Sequence, residues 1–233
     1  MSADKCCESH ATAALVGRQV VNVLCGRPHF PISEAATEMN DEGRPGTDTA
    51  GNIREVALDL FSRQGYERST LREIADALGI TKAAVYYHYR TKVEILDDLL
   101  RPMIDGEDWI IADAESDTAA IGSPAWRLTL VERYIDLLLT HRRVATYAMN
   151  DLAGVANSTL LDRMRANDAR LAALLANGDL SVEQRVRTSA ALGVIVAILA
   201  LPDVSNAELR PQLLRVVRDV LGLTEQARDA ASA

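Results

Sequence analysis

Thr70 and Glu73 stand three residues apart at the head of an apolar stripe of Leu71, Ile74, Ala75 and Leu78, and Gly79 closes the stripe with Thr81 two residues further on. The Thr70 hydroxyl can accept from the backbone N–H of Glu73 while the Glu73 side chain reaches back to the N–H of Thr70, a reciprocal pairing that fixes a helix start. A glycine fixes its end. Thr81 can cap the next helix at once. Two short helices joined by a glycine-bearing turn leave few arrangements open: a plain helical hairpin, or the helix-turn-helix of DNA-binding proteins. Spacing alone does not choose between them.

The rest of the chain carries the same period. Ile53, Val56, Ala57, Leu60 and Phe61 recur at steps of three and four until Gly65, which predicts a helix ahead of the pair. Beyond residue 92 come Val93, Leu96, Leu99 and Leu100, with Pro102 expected to end or kink that helix and Gly106 to weaken the turn after it. Further apolar stripes cover roughly residues 126–139, 144–152, 160–175, 182–201 and 207–221, with Asn177-Gly178 and Pro202-Asp203 as breaks. Strand signals are nearly absent. The expected fold is all-α: an N-terminal three-helix helix-turn-helix domain, then a helical ligand-binding and dimerisation domain. Residues 182–201 and 207–221 carry more apolar surface than one buried face needs, which predicts a homodimer joined through those two helices as a four-helix bundle.

The stretch TKAAVYYHYRTK, Thr81 to Lys92, holds three tyrosines, a histidine and three cations without one carboxylate. This is unusual in a chain of formal charge -8 that contains only three lysines, two of them Lys82 and Lys92. On a helix, Val85 and Tyr89 share the face that can pack inward, and Lys82, Ala83, Tyr86 and Tyr87 turn away from it. Such a surface suits a DNA groove. Lys82 and Lys92 supply charge for phosphates, Tyr86 and Tyr87 supply hydroxyl donors and flat contact, and Ala83 allows close approach to base edges. Thr70 and Thr81 sit at helix N-termini, where free N–H groups and the helix dipole favour a phosphate.

The run ALDLFSRQGYERSTLREIADALGITKAAVYYHYRTKVEIL resembles the DNA-binding domain of TetR-type bacterial transcriptional regulators: Phe61, Gly65-Tyr66, Leu71 through Ala75, Gly79, and then Tyr86 to Lys92. The resemblance implies that Thr70, Thr81, Lys82, Ala83, Tyr86, Tyr87, His88 and Lys92 face double-stranded DNA. Ala84 stands where such regulators often carry a polar residue, which shifts weight from base readout to DNA shape. Tyr89 replaces the more usual phenylalanine, so its hydroxyl needs a partner. The family further implies a homodimer, a two-fold operator and a small-molecule effector bound beyond residue 92. A repressor released from a palindromic operator by a ligand is the reading adopted. A ligand-responsive activator and a helical small-molecule-binding enzyme are the alternatives.

The expected domains are residues 1–48 as a disordered extension, 49–92 as the DNA-binding domain, 93–223 as the effector-binding and dimerisation domain, and 224–233 as a disordered tail. Met39 is a candidate translation start. Cys6, Cys7 and Cys25 all precede residue 26, so the later helices cannot rely on disulfides or thiolate metal sites, which suits the cytoplasm. The longest apolar run, residues 190–201, is shorter than the roughly 20 residues a membrane span needs. His10, His29, His88 and His141 show no metal-ligand spacing, and no phosphate loop or nucleophile elbow occurs, so no catalytic residue, metal or cofactor is expected. The bulky or adaptable side chains able to line an effector pocket are Met103, Trp109, Trp126, Tyr134, Tyr147, Met149 and Met164. His141, Arg142 and Arg143 read as helix-end cations.

Overall fold

A computed structural model of the chain describes residues 48–116, 121–179, 181–199 and 201–223, the side chains of residues 197 and 198 excepted. Cys6, Cys7, Cys25, Met39 and the tail after residue 223 lie outside the described residues. Every described helix lies in the compact unit that begins at Thr49. Among the described residues there are ten helices and no strand: α1 Thr49–Gln64, α2 Leu71–Leu78, α3 Lys82–His88, α4 Lys92–Ser116, α5 Pro124–Thr140, α6 Arg142–Asn150, α7 Leu152–Val155, α8 Leu161–Ala176, α9 Val182–Leu199 and α10 Asn206–Val220.

The ends of these helices follow local chemistry. Gly65, at φ 86°, returns its N–H to the Phe61 carbonyl at 3.0 Å and closes α1. Ser123 caps α5 with Pro124 in its first turn, where a missing N–H costs nothing. Ser205 and Glu208 form a second capping box at α10. Asn177 takes the left-handed conformation that ends α8.

One expectation is corrected: α4 does not end at Pro102, but runs for 25 residues through it and Gly106. Pro102 is exposed, so the carbonyl it leaves without an N–H is on the solvent side. Meanwhile Ile95, Leu96, Leu99, Leu100, Met103, Ile104, Ile110 and Ile111 are buried on both sides of it. Burying that many large side chains, at roughly 1.5–3 kcal/mol each, outweighs the roughly 3 kcal/mol interior proline penalty. Gly106 is a contact point: a Cβ there would stand 2.4 Å from Leu137 Cδ1 of α5.

Two hydrophobic cores result, and α4 belongs to both. The first gathers Ile53, Phe61, Ile74 and Val85 from the helix-turn-helix with Ile95 to Ile104 of α4, and it also takes in Tyr147, Ala148 and Val155. The second gathers Ile110, Ile111 and Ala114 of α4 with α5, α8, α9 and α10. The core under the helix-turn-helix therefore extends past residue 92, to Tyr147, Ala148 and Val155 far downstream.

Candidate nucleic-acid interface

The α2–turn–α3 unit is built by the caps that the sequence signals. Thr70 Oγ1 accepts from the Glu73 N–H at 3.2 Å, and Glu73 Oε2 accepts from the Thr70 N–H at 2.8 Å. Hydrogen bonds from Thr70 and Gln64 hold the Glu73 carboxyl below its usual range. Gly79, at φ 65°, donates its N–H back into the last turn of α2. Thr81 Oγ1 then accepts from the Ala84 N–H at 3.2 Å and starts α3.

α3 divides by face as expected. Val85 is fully buried and Tyr89 nearly so, while Lys82, Ala83, Tyr86, Tyr87 and His88 are exposed, Tyr87 at 85%. Thr70 and Thr81 are exposed as well. The Lys82 ammonium stands 5.2 Å from the Tyr86 ring centroid, and Tyr87 and His88 meet edge to face at 5.1 Å. Among the described residues Lys82 makes no ion pair, so its charge is available to a polyanion.

The Tyr89 hydroxyl finds its partner outside the helix-turn-helix. It donates to Asp98 Oδ2 at 2.6 Å, and Arg54 Nη1 donates to both groups, at 3.2 Å to Tyr89 and 2.9 Å to Asp98. Burial alone would lift the Asp98 carboxyl, but the hydrogen bonds from Tyr89 and Arg54 outweigh it and hold the carboxyl below its usual range. Burial, with the bond to Asp98, raises the Tyr89 phenol. The end of α3 is thereby locked to α1 and α4.

Lys92 differs from its neighbours. Its ammonium donates to the carbonyls of Tyr66 and, at 3.0 Å, Ser69, and lies 4.0 Å from the Tyr66 ring centroid. It clamps the α1–α2 loop instead of projecting outward. The same loop is held from the far side: Asp151 Oδ2 accepts from the Tyr66 N–H at 2.7 Å while Asp151 Oδ1 caps α7. Arg143 pairs with Glu55 and, at 2.6 Å, Asp59 of α1. The Arg54–Asp98 and Tyr66–Asp151 pairings escaped sequence reasoning because they span 44 and 85 residues, and Arg143, read as a helix-end cation, reaches α1 across 84. Arg142, read as a helix-end cation, instead donates to carbonyls of Leu199, Leu201 and Val204 and ties down the α9–α10 connection.

The residues expected to line an effector pocket do not converge. Met103, Trp126 and Tyr134 lie in the second core. Tyr147 lies in the first, 5.9 Å from Phe61, with Met164 packed against that core. Met149 is half-buried. Trp109 is 62% exposed under the Arg133 guanidinium. Of the seven, Trp126 alone lines the groove of about 280 Å³ between α4 and α5. Five of the seven are core residues or pack against a core, because a core and a pocket want the same side chains.

Residues 53–99, α1 through the first turns of α4, match the family model of bacterial regulatory proteins, tetR family. This segment carries the DNA-binding module of the TetR family. Over 78 residues it is 33% identical to the transcriptional repressor KstR2 of Mycobacterium tuberculosis, an alignment that covers 34% of this chain and 38% of that one. To the transcriptional regulator TtgR of Pseudomonas putida it is 27% identical over 173 residues, 67% of this chain and 82% of that one. Among solved structures, the TetR-family member SCO3833 of Streptomyces coelicolor superposes with a TM-score of 0.57 at 28% identity, covering 79% of this chain and 94% of that one. These TetR-family relatives are named as regulators and not as enzymes, and the helix-turn-helix followed by a helical body is their shared architecture.

Proposed function

We propose that the chain is a cytoplasmic, homodimeric DNA-binding regulator that represses by occupying a palindromic operator and is released by a small-molecule effector. One observation carries the reading: α3 exposes Lys82, Tyr86 and Tyr87 on one face while Val85 and Tyr89 anchor the opposite face, and no carboxylate interrupts the stretch from Thr81 to Lys92. Two tyrosines at 43% and 85% exposure are costly in water and useful in a groove.

Lys82 then meets phosphates directly, with Thr70 and Thr81 offering helix N-termini and Tyr86, Tyr87 and His88 contacting backbone or base edges. Lys92 acts through the loop it clamps. The dimer reading is supported by α9, where Val182 and Val186 are 75% and 61% exposed, Ser189 and Ala190 continue the same face, and a Cβ on Gly193 would meet nothing within 4 Å. No helix among the described residues is long and apolar enough to cross a membrane.

The test is selection of bound fragments from the source genome, followed by fluorescence anisotropy on the selected duplex. A two-fold symmetric site, bound by wild type and lost on Tyr86→Ala, is the expected outcome. Equal affinity of wild type for scrambled duplexes would remove the sequence-specific regulator.

A further inference from the structure

α6 opens on two consecutive arginines that reach in different directions. Arg142 forks into the connection between α9 and α10. Its Nε donates to the Leu199 carbonyl at 3.0 Å, Nη1 to the Val204 carbonyl at 2.7 Å and to Asn206 Oδ1 at 3.1 Å, and Nη2 to the Leu201 carbonyl. Those acceptors run from the last residue of α9 to the first of α10, so one planar guanidinium spans the whole connection. Its charge also suits the carbonyl end of α9. Asn206 returns the grip, with Nδ2 donating to the Leu139 carbonyl in the last turn of α5 at 2.9 Å.

Arg143 turns onto α1, where it pairs with Asp59 at 2.6 Å and with Glu55 one turn away. All three side chains are more than half exposed, so these pairs add little stability. What they add is register. Two carboxylates four residues apart meet two nitrogens of one guanidinium, and neither a slide nor a rotation of α1 would leave both bonds intact. Between its two arms α6 is anchored in both cores, through Ala145 in the second and through Tyr147 and Ala148 in the first. A helix about 13 Å long thus joins α1 to the α9–α10 connection by a route that does not pass through α4.

We propose that Arg142 and Arg143 are positioning residues for operator binding, which make α6 a strut that carries the placement of α9 and α10 straight to α1. The inference rests on the regulator reading and on the proposed dimer through α9. In that dimer α9 and its symmetry mate are the fixed point. The two reading heads must stand one duplex turn apart, roughly 34–36 Å, to enter successive major grooves. Their spacing is set by whatever ties α1 to the dimer helices. α6 supplies a short polar tie beside the long apolar one of α4.

The test compares three duplexes made from the selected operator: the intact two-fold site, the same site with one base pair inserted between its halves, and a single half-site. The variants are Arg143→Ala and Arg142→Lys, the lysine keeping a cation at the end of α9 without the fork. The wild-type preference for the intact over the lengthened site should shrink several-fold in each variant. Half-site affinity, and the dimer in light scattering, should stay as in wild type. Glu55→Gln with Asp59→Asn should reproduce Arg143→Ala and add nothing to it. An unchanged spacing preference in either variant overturns the strut, and so does a half-site loss as large as the full-site loss. A second arm reads head spacing without DNA, from nitroxide pairs at Ser62→Cys, an exposed position of α1, with the three native cysteines changed to serine. The distance distribution should be narrow in wild type and broaden in both variants. No broadening, or a monomeric wild type, removes the strut while operator binding keeps the regulator. Broadening in a protein that binds no duplex keeps the strut and removes the regulator.

Discussion

Two lysines ten residues apart illustrate why charge alone does not assign a contact. Lys82 projects into solvent and Lys92 turns back onto the carbonyls of Tyr66 and Ser69. Lys82→Ala should flatten the salt dependence of DNA binding by about one unit of slope, the counterion released by one phosphate contact. Lys92→Ala should instead lower the melting temperature, by the equivalent of roughly 1–3 kcal/mol for charge-assisted bonds lost from a half-buried loop, and weaken binding through the displaced loop. Thermal melts beside salt titrations separate the two, and an unchanged melting temperature in Lys92→Ala contradicts the clamp. Glu107 sets a pH dependence of its own. Its carboxyl lies at 4.5 unfolded and, desolvated by burial, about 8 folded, so the folded state holds the extra proton in that window. Stability therefore falls as pH rises from 4.5 to about 8, and denaturant melts of Glu107→Gln should show a shallower fall.

At the scale of elements, α1, α2 and α3 were legible because their signals are local: a capping box, a glycine at positive φ, and a stripe that repeats within one turn. The face of α3 followed from Val85 and Tyr89 alone. α4 was misread because proline is a local veto, and what overrides it, the burial of Ile95 to Ile111 between two cores, is spread over the whole unit. The grip on the α1–α2 loop was illegible for the same reason: Tyr66 and Asp151 stand 85 residues apart, and neither carries a motif. Gly154 belongs to that grip, since a Cβ there would stand 2.6 Å from Tyr66 Cβ and 2.3 Å from Asp151 Oδ2. Gly154→Ala should therefore push α7 off the loop, and hydrogen exchange at the Tyr66 amide should speed up at least several-fold. Unchanged protection there would mean that the loop is held without Asp151.

For the whole molecule, the physical design is a polar, phenol-bearing surface on α3, locked through Tyr89 to α4 and through the α1–α2 loop to α6 and α7. In the proposed dimer, the exposed face of α9 meets a second copy. A single charge there, Val186→Glu, should convert a dimer to a monomer in light scattering and lower operator affinity by orders of magnitude, because two reading heads would no longer bind as one. If the variant stays dimeric, the contact lies elsewhere. The proposed contact of α3 with a polyanion runs through Lys82. The direct measurement is operator affinity of wild type and Lys82→Ala across a series of salt concentrations. A straight fall of log affinity with log salt is predicted, shallower in Lys82→Ala, and identical slopes for the two proteins would contradict it.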